Sequence, residues 1–157
     1  MGQSERRDKV KLILPAPLAA QIRAEAIAAW PAECCGLIEG LCGDGIFDAR
    51  ALHPTSNRAT ASDRFEIAPE DHIAAFKAAR VRGHRLIGCY HSHPNGRLQP
   101  SSHDGAGEED FLWLIAATDG ASSNIAAWLY RAGGFTPLAL SEAVGADLVT
   151  SSLNERS

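Results

Sequence analysis

His91 and His93 stand one residue apart, and a hydroxyl, Ser101, and a carboxylate, Asp104, follow within a short polar stretch, H-S-H-P-N-G-R-L-Q-P-S-S-H-D. Imidazole nitrogens and carboxylate oxygens are ordinary zinc ligands, and a catalytic zinc site keeps three of them and leaves a fourth position for water. A hydroxyl beside such an ion can hydrogen-bond an oxyanion. The chemistry these types suggest is metal-assisted hydrolysis. Taken singly the pieces are weak. An S-x-x-D alone reads as a helix cap, and an H-x-H alone is a common accident. Their conjunction at this spacing carries the reading.

Side chains alternate across a strand, so His91 and His93 share a face if they close one, with Ser92 turned to the other. Pro94 ends that strand, and the loop can fold back. Ser101 and Asp104 are three apart, a spacing that shares one face of a helical turn, and Ser101 suits an N-cap. Gly105 and Gly107 limit that turn to a short one. Asp104 is then the natural third ligand, while His103 should point away from its face. A base must come from elsewhere. Glu33, Glu39, Glu66, Glu70, Glu108 and Glu109 are the candidates. Glu33, between a helix end and a strand start beside C-C-G, leads, but residue physics leaves the choice among them open.

The positioning elements follow from periodicity. Residues 9–14 alternate as a strand, and Pro15 and Pro17 stop it and open a helix over 18–30, with Leu18, Ile22, Ala26 and Trp30 at helical spacing. Strands are expected at 35–40, 46–53, 64–67, 84–93 and 111–118, with a hairpin over 124–140 turning at Gly133-Gly134. A second helix starts at Pro69, carries acids in its first turn and closes at Gly83. The sum is an α/β (α+β) single domain, a mixed β-sheet flanked by two main helices and a shorter helical segment.

The 157 residues fit one core, and the 45% hydrophobic and 22% charged content is that of an ordinary globular chain. A net charge of −4 argues against a general nucleic-acid binder. No run is long and apolar enough to span a bilayer, and the polar start MGQSERRDK lacks a signal peptide's apolar stretch, so the expected location is cytoplasmic. Cys34, Cys35, Cys42 and Cys89 form no paired CxxC knuckles and should be thiols in a reducing cytosol. The oligomeric state is open.

P-A-E-C-C-G-L-I-E-G, then G-C-Y-H-S-H-P, then P-S-S-H-D resembles the JAMM/MPN+ zinc metallopeptidase family. Its signature is an upstream Glu, then H-[ST]-H-P, seven residues, and S-x-x-D. The stretch R-F-E-I-A-P-E-D (64–71) is similar to what precedes that family's second helix. The resemblance covers residues 9–140, leaving 1–8 and 141–157 as tails, and implies a cytidine-deaminase-like MPN fold. It implies one zinc per chain on His91, His93 and Asp104, Glu33 as base and then proton donor to the leaving amine, and Ser101 as oxyanion donor. The substrate it implies is a peptide or isopeptide bond after the C-terminal Gly tail of a ubiquitin-like or sulfur-carrier protein, with release of cysteine from a carrier as one example. The chain looks like the minimal stand-alone prokaryotic form. The Gly tail is expected to add to a sheet edge at 64–67. The alternatives are a zinc hydrolase of another small amide and a non-catalytic MPN-type binding module; modules of that kind usually lack ligands, and this chain keeps each one.

Overall fold

The structure, a computed structural model, describes residues 10–59, 66–101, 104 and 109–143. Strand β1 (Lys11–Pro15) buries Leu12 and Leu14 on one face, as alternation requires. Helix α1 (Ala16–Ala29) follows at once, with Pro17 in its first turn and Ala19, Ile22 and Ala26 buried. Trp30 departs from the expected apolar stripe. It lies at the C-cap, outside helical geometry, and is 46% exposed. Pro31 removes the next helical position, so the indole swings out, donates from Nε1 to the Pro94 carbonyl at 3.4 Å, and lies where a Cβ on Gly120 would collide with it.

Strands β2 (Cys35–Gly43) and β3 (Ile46–Thr55) form an antiparallel hairpin. Helix α2 (Pro69–Val81) precedes β4 (Arg85–His93), and β5 (Phe111–Thr118), β6 (Ser123–Arg131) and β7 (Gly134–Ala143) complete the fold. The strand expected at 64–67 reduces, among the described residues, to a single bridge between Asn57 and Ile67; Arg64 and Phe65 lie outside them. Strand β7 runs to Ala143, past Ser141, where a tail was expected to begin.

The sheet is mixed, as expected, with parallel pairs β1–β3, β1–β7 and β4–β5 and antiparallel pairs elsewhere. It also closes, in the order β1-β3-β2-β4-β5-β6-β7, because β1 pairs on both sides. Closure removes sheet edges. β1 meets β3 only at Lys11–Ile13 against Ile46–Asp48.

Alternation along β4 divides the core. Tyr90 belongs to the cluster under α1 with Leu12, Leu14, Ile22, Ile38 and Leu114. Cys89 belongs to a second cluster with Leu37, Ala75 of α2 and Trp113. His91, two residues past Cys89, meets Trp113 edge-on with ring centroids 5.7 Å apart. Gly36 lies opposite Tyr90, and a Cβ there would come within 2.3 Å of the phenol ring. That space lets the Tyr90 hydroxyl reach Glu25 at 2.8 Å. Among the described residues, no helix is long and apolar enough to cross a membrane.

Glu39, one of the base candidates, has a structural task. Its side chain is 0% exposed, beside the register shift between Glu39 and Gly40. Arg82 grips it with two bonds of 2.6 and 2.8 Å, His84 at 2.6 Å and His53 at 2.8 Å, so the end of α2 is tied to β2, β3 and the start of β4. The Arg82 bonds outweigh burial and, with the two histidines, hold this carboxyl well below the usual range. The stabilisation is therefore complete above the ordinary glutamate value and is lost as pH falls below it toward the depressed native value. Glu39→Gln should destabilise the fold by roughly 2 kcal/mol at pH 7, discounted because Arg82 is half exposed. Urea unfolding at pH 7 and again at pH 3.5 measures this, and the difference between variant and parent should shrink at the lower pH.

Candidate metal centre

Strand β4 ends by carrying His91 and His93 into a buried pocket, at 0% and 4% exposure. Their Nε2 atoms are 3.0 Å apart. The Asp104 side chain, almost wholly buried, closes a triangle with oxygens 3.2 Å from His91 Nε2 and 3.3 Å from His93 Nε2. Tetrahedral zinc with bonds of about 2.0–2.1 Å holds neighbouring ligands about 3.3 Å apart, so this triangle fits one ion. Two imidazole nitrogens this close can share only one proton, whereas a cation satisfies both. The His93 ring is oriented from behind: Nδ1 lies 2.9 Å from the Arg97 carbonyl. A carbonyl only accepts, so Nδ1 carries the proton and Nε2 presents its lone pair to the site.

The electrostatics agree at His91 and Asp104, while His93, beside Asp104, is held toward its charged form. Burial pushes His91 down, toward the neutral form a ligand needs. Burial also opposes the charge on His93, but Asp104 and the Arg97 carbonyl outweigh it and raise that value. At Asp104 burial is overcome by bonds from His91 and His93, so the carboxyl sits well below the usual range.

The turn at Ser101 shows the reciprocal half of a cap, in which the acid three residues on reaches back to the Ser101 N–H. The Asp104 carboxylate accepts from the Ser101 backbone N–H at 2.8 Å, and the Asp104 N–H donates to the Ser101 carbonyl at 3.0 Å. The acid caps the turn and thereby aims itself at the histidines. His103, Gly105 and Gly107 lie outside the described residues, as does the length of any helix there.

Glu33 joins this centre from the segment between α1 and β2. It is 5% exposed, and its carboxylate lies with the ligand atoms of His91 and His93 in a group spanning no more than 4.8 Å. It could serve as a ligand in its own right, or, with Asp104 oxygens at 3.2 and 3.3 Å from the two imidazoles, as a carboxylate beside the ion. Two clamps set its backbone. Asn57 Nδ2 donates to the Glu33 carbonyl at 3.0 Å. Ser92 accepts from the Cys34 N–H at 2.8 Å through its hydroxyl, and its own N–H donates to the Cys34 carbonyl at 3.0 Å. Ser92 thus turns away from the metal face, as alternation required. Of the other candidates, Glu39 is held as above, Glu70 lies in the first turn of α2, and Glu109 accepts from the Ala132 N–H. Glu66 is exposed, and its N–H donates to Asn57 Oδ1 at 2.9 Å; Glu108 lies outside the described residues.

Asn57 was not singled out in sequence. Its amide joins Glu33, Ala59 and Glu66, and its backbone bridges Ile67. The only signal was an Asn shortly after a strand end, which is too common to mark a site.

The four cysteines are free thiols. Burial pushes Cys34 up to about 11 and raises Cys35 and Cys89 as well, so these three are poor nucleophiles at neutral pH. A cavity of about 300 Å³ opens beside the centre, lined by His93, Asn95, Arg97, Gln99, Pro100 and Ser101.

A closed mixed sheet with two helices carries a buried His–His–Asp triangle with a glutamate nearby, a donor set that could hold a metal ion. Residues 15–130 match the family of prokaryotic homologs of the JAB domain, and the chain belongs to that family. It is 39% identical over 97 residues to a desampylase from Haloferax volcanii, a match spanning 57% of this chain and 66% of that protein, just under two thirds of its length. A solution structure from Desulfitobacterium hafniense superposes with a TM-score of 0.75 at 24% identity, covering 86% of this chain and 96% of that one, and shows the same fold. A second, from Salinibacter ruber, gives a TM-score of 0.64 at 29% identity over 85% and 91% of the two chains.

Proposed function

We propose that the chain is a zinc-dependent metallopeptidase that hydrolyses the peptide or isopeptide bond after the C-terminal Gly tail of a ubiquitin-like or sulfur-carrier protein. The observation that carries the reading is the His91–His93–Asp104 triangle with the buried Glu33 carboxylate beside it. The similarity to a desampylase supports a ubiquitin-like modifier as substrate.

His91, His93 and Asp104 would hold the ion, which when bound supplies Lewis acidity and makes water acidic enough to react near neutral pH. Glu33 takes the proton from the attacking water and hands it to the leaving nitrogen. The Ser101 hydroxyl donates to the scissile carbonyl oxygen as negative charge builds there, a contribution of about 3–4 kcal/mol for such donors. The Arg97 carbonyl holds the His93 ring, and Asn57 and Ser92 hold the backbone on either side of the Glu33–Cys34 peptide. The Gly tail needs an extended berth, which we place along 64–67 beside Asn57. Ile67 already uses one side in its bridge to that residue.

Asn57 is a positioning residue in this scheme. Asn57→Ala should lower kcat about tenfold, the worth of one well-made hydrogen bond, while metal content per chain stays at one. Steady-state kinetics beside metal analysis checks this, and a variant that also loses metal would contradict it.

The substrate is tested by incubating zinc-loaded protein with a ubiquitin-like domain extended beyond its Gly-Gly terminus, with an isopeptide-linked conjugate, and with small acyl amides. Cleavage after the second glycine supports the reading. Cleavage of the small amides alone would replace the Gly-tailed protein with a small-molecule substrate.

A further inference from the structure

We propose that Trp128 of β6 is a positioning residue for the candidate metal centre: its indole N–H fixes the 94–101 loop, and through it the Arg97 carbonyl that aims the His93 ring. The inference rests on the metallopeptidase reading above and adds a residue that acts on the site from two strands away.

Alternation along β6 places this side chain. Ala127 and Leu129 turn to the cluster under α1, so Trp128 between them turns to the opposite face, that of Cys89 and Trp113. Register sets Cys89, Trp113 and Trp128 in one row across β4, β5 and β6. An indole has an apolar body and a single N–H donor, and a part-buried ring needs an acceptor for it. The body of Trp128 packs on the second cluster, and Nε1 donates to the Leu98 carbonyl at 2.9 Å.

Two other bonds shape the loop from within. The Gly96 N–H donates to the His93 carbonyl at 3.2 Å, and the Arg97 N–H donates to Asn95 Oδ1 at 3.0 Å. Both are local, so they form the turn without placing it against the sheet. Trp128 supplies that placement at a decisive point. Peptide units are planar, so the two backbone dihedrals of Leu98 alone separate the unit that Trp128 holds from the unit whose oxygen takes the His93 Nδ1 proton at 2.9 Å. Trp30 Nε1 also reaches the loop, at the Pro94 carbonyl, but its 3.4 Å is long for such a bond, and it contributes less. At the loop's far end the Ser101 N–H holds the Asp104 carboxylate at 2.8 Å. The loop thus runs from one candidate ligand to the residue that aims another, and Trp128 grips it between them.

Without the indole donor, Leu98 can turn and the Arg97 carbonyl can drift from His93. The Nδ1 proton then bonds water instead, and Nε2 is aimed at the ion position for less of the time. Removing a direct outer partner of a ligating histidine typically costs 10–100-fold in metal affinity. Trp128 acts one link further out, so the lower end of that range, about tenfold, is expected.

The test compares the full chain with Trp128→Phe, which keeps an aromatic ring and removes the donor, and with Trp30→Phe as the control. Zinc affinity is measured by chelator competition on metal-free protein. Trp128→Phe should bind zinc about tenfold more weakly and Trp30→Phe within about twofold of the parent, while the Tm of metal-free Trp128→Phe stays within about 2 °C. Proton NMR of the metal-free proteins gives a second readout. The His93 Nδ1 proton should exchange slowly with water in the parent and at least about fivefold faster in Trp128→Phe. If Trp128→Phe does not fold, benzothienylalanine at the same position keeps the volume of the indole and removes only the N–H. Unchanged zinc affinity with a lowered metal-free Tm would make Trp128 a packing residue and overturn the proposal, as would equal losses of affinity in the two variants. If the parent itself binds no zinc, the metallopeptidase reading fails. The Nδ1 exchange rates then decide the positioning role: faster exchange in Trp128→Phe supports it, and equal rates overturn it.

Discussion

Glu33→Gln should lower kcat on a Gly-tailed substrate about 10³-fold, within the range that general acid–base groups contribute. Glutamine keeps the shape of the side chain, and the Asn57 bond goes to the Glu33 backbone, so the fold and the ligand triangle should survive. KM should change by less than about threefold and the metal should remain at one per chain, because the substitution removes a proton carrier and leaves His91, His93 and Asp104 in place. Stopped assays at saturating substrate, with metal analysis of the same samples, give both numbers. A variant retaining more than about a tenth of wild-type kcat would move the base to another group.

His93→Ala should weaken zinc binding by more than about 100-fold, since loss of an outer-shell partner alone typically costs 10–100-fold and this change removes a ligand. It should also release the Arg97 carbonyl and loosen the loop that Arg97 and Leu98 anchor. The effect reaches stability. Free zinc at about 1,000 times its Kd would stabilise the native state by about 4 kcal/mol, worth roughly 10 °C in Tm for a chain of this size. Wild-type protein should show that rise on adding zinc, and His93→Ala should show almost none. Equal shifts in both proteins would mean that the ion binds elsewhere.

Much of this site could be read from sequence because its parts are local. His91 and His93 share a face by strand alternation, and Asp104 follows in the next turn. The extents of α1, α2 and β5 were close to the periodic pattern. What escaped depends on partners distant along the chain. Barrel closure rests on β1 pairing with both β3 and β7. Glu39 stood only as one of six base candidates because Arg82 and His84, over forty residues away, cannot be seen from its neighbours. Asn57 gains its meaning only when β3 delivers it to the Glu33 carbonyl. Trp30 fits a helical stripe by spacing, yet Pro31 ends the helix and the ring turns toward Pro94 instead. At Ser101 the pair was legible, and the Asp104 carboxylate takes the Ser101 N–H across it.

The most direct measurement is a zinc titration of metal-free protein, followed by cleavage of a ubiquitin-like domain carrying residues beyond its Gly-Gly terminus. The account predicts no cleavage without metal, a linear rise to a plateau at one zinc per chain, and a product ending at the second glycine. Full cleavage by the metal-free protein, or none at one equivalent of bound zinc, would contradict it.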